Sequence, residues 1–128
     1  MAKGELLIAE DDAVLRNLYL KKFEATGFSI RAVEDGELAL QAVQERTPDL
    51  LILDLHMPKV DGFQVLEKFP KGQRTFPVII LTNFDDPKYR TRGAELGVDD
   101  YFVKKDMTIK SLVEMVENLM RAKKYFQK

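Results

Sequence analysis

Four short apolar runs of this chain each end on a residue that can do chemistry. Leu6-Leu7-Ile8-Ala9 leads into Glu10, Asp11 and Asp12; Leu50-Leu51-Ile52-Leu53 into Asp54; Val78-Ile79-Ile80-Leu81 into Thr82; and Tyr101-Phe102-Val103 into Lys104. Carboxylates brought close together repel one another, and a hard divalent cation with oxygen ligands relieves that repulsion. Mg2+ (or Mn2+) suits such a set. A hydroxyl and an ammonium opposite the cation would hold further anionic oxygens, so the whole describes a pocket for a phosphoryl group. Asp54, the deepest carboxylate, is then placed to act as nucleophile and form an acyl phosphate. Each residue also has an ordinary use on its own. An acid after a strand caps the next helix, as expected of Asp12; a Thr closes a turn; a Lys carries a solvated charge. Their joint arrival at four run ends is what points to a site.

The elements that must position these residues follow from the hydrophobic pattern. The four runs and Ser29-Ile30-Arg31-Ala32-Val33 read as five strands. The runs beginning at Leu6, Leu50 and Val78 are continuously apolar, as for central strands covered on both faces, whereas the one at Ser29 alternates and suits an edge. Between them lie helical patterns. Val14, Leu15, Leu18, Tyr19 and Phe23 are expected on one inner face, with Gly27 as a left-handed stop. Asp35 is expected to cap a second helix whose inner face is Leu38, Ala39, Ala42 and Val43. A short third helix runs from Gly62 to about Lys68 with Phe63, Leu66 and Phe69 inward. Pro87 opens a fourth, carrying Tyr89, Gly93 and Leu96 and ending at Gly97. The last starts near Thr108 and buries Ile109, Leu112, Val113, Val116, Leu119 and Met120. Strand and helix alternate five times, which predicts an α/β fold with a parallel sheet, right-handed crossovers and helices on both faces. In such open sheets ligands bind beyond the carboxyl ends of the strands, where the acids, Thr82 and Lys104 converge.

Composition narrows the function classes. The 128 residues suit one domain, 1–128, and 45% hydrophobic with 32% charged residues supports an ordered core. Twenty basic against 21 acidic residues leave a net charge of −1, which argues against nucleic-acid binding or an anionic membrane as partner. No cysteine is present, so disulfides, thiolate metal sites and a catalytic thiol are excluded. The first residues lead into a short apolar run, unlike a signal peptide or a membrane span, and a cytoplasmic location is expected. The basic end, Arg121 to Lys128, suits the C-terminus of a helix.

Ile8-Ala9-Glu10-Asp11-Asp12, the stretch from Leu53 to Gly62 (Leu-Asp-Leu-His-Met-Pro-Lys-Val-Asp-Gly), Ile80-Leu81-Thr82 and Asp99-Asp100-Tyr101-Phe102-Val103-Lys104 resemble the receiver domain of two-component response regulators. The resemblance covers essentially the whole chain. It implies a flavodoxin-like sheet in the order 2-1-3-4-5. It implies that Asp54 is the phosphoacceptor, that Glu10, Asp11, Asp54 and the backbone carbonyl of His56 hold Mg2+, and that Thr82 and Lys104 bind the phosphoryl oxygens. Tyr101 looks like the aromatic switch, and Pro58 and Gly62 like the loop that shapes the rim. It further implies a phosphoacceptor signalling domain that assists its own phosphorylation and dephosphorylation, not an enzyme. A histidine kinase or histidine phosphotransfer protein would supply the phosphoryl group, and a downstream protein would read the switch.

Four positions shape the expectation locally. Lys105 stands where receivers commonly have Pro. Asn83 occupies a position that is usually small, and with Phe84 and His56 it is expected at the pocket mouth. Two architectures fit: a stand-alone receiver, or the N-terminal receiver of a longer regulator with a DNA-binding or enzymatic output domain. An aspartyl-phosphate phosphatase fits poorly, because its Asp-x-Asp would follow the first strand. A degenerate docking module is opposed by the intact Glu10, Asp11, Asp54, Thr82 and Lys104.

Overall fold

The continuous apolar runs become the middle of a parallel sheet. The structure, a computed structural model, describes residues 3–126, with side chains described as far as residue 122. Its elements run β1 (Glu5–Ala9), α1 (Ala13–Ala25), β2 (Ser29–Val33), α2 (Gly36–Glu45), β3 (Leu50–Asp54), α3 (Gly62–Lys68), β4 (Val78–Thr82), α4 (Pro87–Glu95), β5 (Asp100–Val103) and α5 (Ile109–Phe126). All pairings are parallel, as the alternation of strand and helix predicts, and the order is β2-β1-β3-β4-β5, as the receiver resemblance implies. The basic end falls partly in α5 and partly outside the described residues.

Successive strand residues point to opposite faces, and the two faces are covered by different helices. Leu7, Ala9, Leu51, Leu53, Val78 and Ile80 pack with Ala39, Ala42 and Val43 of α2 and Val65 and Leu66 of α3, and Tyr89 of α4 lies against the same group. Leu6, Ile8, Leu50, Ile52, Ile79 and Leu81 pack with Tyr19 and Phe23 of α1 and Leu112 and Val116 of α5. Each Leu, Ile and Val among them contributes about 1.5–3 kcal/mol on burial, so β1, β3 and β4 form a rigid bed that ends at the acidic residues. Among the described residues, no helix is long and apolar enough to cross a membrane.

The helix starts follow local chemistry. Asp12, Asp35 and Asp86 accept amide hydrogen bonds from the first turns of α1, α2 and α4, and Asp61 with Gln64 makes a reciprocal cap on α3. Gly27, just past α1, has a φ of 99°, as a left-handed stop requires. One expectation fails. Val14 and Leu18 do not face the sheet; they are 78% and 39% exposed. Leu15, Tyr19 and Phe23 follow one another every four residues and form the buried stripe, while Val14 and Leu18 lie one residue back, about 100° around the helix. Val65, which the sequence reading left out, is fully buried under α3.

Candidate metal and phosphoryl site

Strand register brings the acids together. Ala9 of β1 is opposite Leu53 of β3, so Glu10 emerges beside Asp54. Asp54 is opposite Leu81 of β4, and Thr82 is opposite Val103 of β5, so Thr82 and Lys104 complete the rim. Glu10, Asp11 and Asp54 each present a carboxylate oxygen within 4.8 Å of the others. Glu10, Asp54 and Thr82 are buried, whereas Asp11 is open to solvent. Lys104 Nζ lies 2.6 Å from Glu10 Oε1 and 3.3 Å from Asp54 Oδ2. The Glu10 oxygen is fully buried and its contact with Lys104 lacks hydrogen-bond directionality. That oxygen is held by the charge of Lys104 alone, and a cation can take the place of the ammonium there. A donor set of three carboxylates, all hard oxygen, fits Mg2+.

The electrostatics are those of crowded carboxylates. Burial, followed by the hydrogen bond and charge of Glu10, pushes the Asp54 acid up from 3.8 to about 8, against the pull of Lys104 and the His56 amide. Burial would lower the Lys104 ammonium, but Glu10 and Asp54 outweigh it and raise its pKa. Tyr19, under the same strand ends, is raised by burial and then by the charges of Glu10, Asp54 and Asp12. Lys104 thus serves as an internal counter-ion for two acids that could not both ionise comfortably without one.

The surrounding loops place the remaining candidates. The His56 amide donates to Asp54 Oδ1 at 3.2 Å, which brings the His56 backbone to the pocket while its ring stays exposed. That ring meets Phe84 edge-on at 4.6 Å and Tyr89 at 5.5 Å. Asn83 is exposed on the same loop as Phe84. The Phe84 amide donates to Thr82 Oγ1 at 3.2 Å, and the Tyr101 hydroxyl donates to the Phe84 carbonyl at 3.1 Å. Lys104 and Lys105 begin a single 3₁₀ turn, and no cis peptide occurs among the described residues.

Two arginines that the sequence reading did not single out also act here. Arg16 Nη1 donates to the Glu10 carbonyl at 2.9 Å and so braces the acidic loop from α1. Its position one turn past the Asp12 cap was a usable signal. Arg90 sits 4.7 Å from the centroid of the Tyr101 ring and pairs with Asp85 at 2.8 Å. Nothing in the spacing of Arg90 and Tyr101 announces that contact.

The family model described as "Response regulator receiver domain" matches residues 6–117. The chain belongs to that family. This receiver is 35% identical over 121 residues to "Probable transcriptional regulator ycf27" of Porphyridium aerugineum, covering 94% of the chain and 50% of that protein. It is 33% identical over 100 residues to "Alkaline phosphatase synthesis transcriptional regulatory protein PhoP" of Bacillus subtilis (strain 168), covering 78% of the chain and 42% of that protein. The chain therefore spans about half the length of the curated relatives it matches. Among solved structures, "Structure of the Francisella response regulator 1452 receiver domain" superposes with a TM-score of 0.86 at 30% identity, covering 93% of this chain and 98% of that one. The receiver is thus a unit of two-component signalling with the sheet order described above.

Proposed function

We propose that residues 1–128 form a single receiver domain that takes a phosphoryl group onto Asp54 with the help of a divalent cation. The observation that carries this reading is the juxtaposition of Glu10, Asp11 and Asp54 with Lys104 at the strand ends. Glu10, Asp11, Asp54 and the His56 carbonyl would hold Mg2+, which supplies charge neutralisation for the transferring group. The Asp54 carboxylate attacks phosphorus, the donor's P–N bond breaks, and the imidazole nitrogen keeps the electron pair. Lys104 then leaves its carboxylate partners for a phosphoryl oxygen, and the Thr82 hydroxyl binds another. Because Thr82 Oγ1 is bonded to the Phe84 amide and Phe84 O to Tyr101, moving Thr82 pulls on the residue that holds Tyr101. The added charge in this way biases a two-state loop.

The donor is a histidine kinase or histidine phosphotransfer protein in the cytoplasm. The exposed Val14 and Leu18 stripe, beginning two residues past Asp12, suits a protein donor docking beside the pocket. A downstream protein contact is the output. A second reading draws on relatives of about twice the length that are named transcriptional regulators: the chain would work as the N-terminal receiver of a longer regulator with its own output domain. The decisive experiment is intact-mass measurement after incubation with acetyl phosphate. Wild type with Mg2+ should gain one phosphoryl group, while wild type with chelator and Asp54→Asn should gain none. Labelling that persists in Asp54→Asn would refute the assignment.

A further inference from the structure

The loop that joins β3 to α3 rests on the start of α2. Gly36, the first residue of α2, is buried, and a Cβ built on it would fall 1.9 Å from the Val60 carbonyl oxygen and 2.6 Å from its carbon. Real side chains essentially never approach so closely, so the loop sits where only a glycine allows it. Asp35, one residue earlier and 4% exposed, caps α2 through the Leu38 amide at 2.8 Å and turns its other oxygen toward Lys59 Nζ, 3.7 Å away. Lys59 has a φ of 70°, and the Val60 amide closes back on the Pro58 carbonyl at 2.8 Å. That is a three-residue turn of the strained kind. At the loop's ends, the His56 amide is tied to Asp54 and the Gly62 amide to the Leu55 carbonyl at 3.0 Å.

We propose that Asp35 and Gly36, in the first turn of α2, form a positioning platform for the β3–α3 loop and thereby set how tightly the pocket holds a divalent cation. The inference rests on the reading of the pocket given above. A backbone carbonyl is only as good a ligand as the chain that aims it, and Mg2+ tolerates little departure from octahedral positions. The loop is short, tied at both ends and already strained at Lys59, so it has no slack. Pushing Val60 outward must carry into the backbone of His56. Neither Asp35 nor Gly36 touches the cation; both act through the loop.

Mn2+ binding, followed by electron paramagnetic resonance on folded protein well below its melting temperature, tests this. Gly36→Ala should weaken binding about tenfold or more, the range typical when the support of a metal ligand is lost. Asp35→Asn keeps the cap, since Asn caps as well as Asp, but loses the attraction to Lys59; it should weaken binding a few-fold. Glu34→Gln removes an exposed charge next door and should change nothing. A purely structural role for Gly36 would lower the melting temperature and leave the affinity intact. A folded Gly36→Ala that binds Mn2+ like wild type overturns the platform. Should Gly36→Ala fail to fold, Asp35→Asn against Glu34→Gln decides: a larger loss in Asp35→Asn supports the platform, and equal effects overturn it. Wild type that binds no Mn2+ refutes the pocket reading itself, a separate failure.

Discussion

Asp54 keeps its proton to a higher pH than an exposed aspartate would, because burial and Glu10 both disfavour its charge and raise its pKa from 3.8 to about 8. The folded chain therefore holds a proton that the unfolded chain has already released over that interval. Its contribution to stability is complete below the unfolded value and is lost as the pH climbs through the folded one. Without metal, the melting temperature of wild type should fall relative to Asp54→Asn as the pH rises from 3.8 toward about 8. Mg2+ should flatten that difference by displacing the proton. A wild-type-minus-variant curve with no slope would count against a perturbed Asp54. Phe84 suggests a second outcome at this scale. Its ring is 51% exposed and stands edge-on to His56, and hydrolysis of an acyl phosphate needs a water in line with the bond. Phe84→Ala should lose its phosphoryl group several-fold faster than wild type while uptake from acetyl phosphate changes less. Equal or slower decay, read by intact mass over time, would show that the ring shields nothing.

At the scale of elements, Arg74 pins two helix ends near the amino ends of β4 and β5, away from the pocket. Its guanidinium donates to the Phe69 carbonyl at 2.9 Å, at the end of α3, and to Gly97 at 2.7 Å, just past α4. Burial presses its pKa down, so these carbonyls must repay the loss of water. Arg74→Ala should cost about 2 kcal/mol, as expected for charge-assisted hydrogen bonds left unmade. Urea denaturation should show a lower midpoint at unchanged slope, with Mn2+ affinity intact, in contrast to Gly36→Ala. The elements themselves were legible because their signals are local. The apolar runs at Leu6, Leu50 and Val78 each stop at a polar residue, and Asp12, Asp35 and Pro87 mark helix starts. The face of α1 was less legible, since Val14 with Leu18 and Leu15 with Tyr19 and Phe23 have the same spacing. Only the docked sheet decides which stripe is buried. The site divides in the same way. Glu10, Asp54, Thr82 and Lys104 are covalently next to strand ends and so are readable. Arg16 reaches the acidic loop from one turn past the Asp12 cap and is a local signal, whereas Arg90 on Tyr101 and Asp35 beside Lys59 pair residues distant in sequence, and no periodicity encodes them.

For the molecule as a whole, one sheet serves as scaffold for two separately packed faces, and the pocket exists only where four strands end together. Its carboxylates come from the ends of the first and third strands and its ammonium from beyond the fifth, so no fragment lacking either β1 or β5 contains the site. The strand order has a further consequence for how the molecule is made. β1 lies between β2 and β3, yet β3 is translated only after both α1 and α2. At roughly 5–20 residues per second, a nascent chain spends some seconds with Leu6, Leu7 and Ile8 paired along one side only. The bare side of β1 is then an apolar strand edge, the kind of surface that recruits strands from neighbouring chains. On crowded polysomes that edge lies near other nascent chains, and it passes from β1 to β3 and then to β4 as each next strand leaves the ribosome.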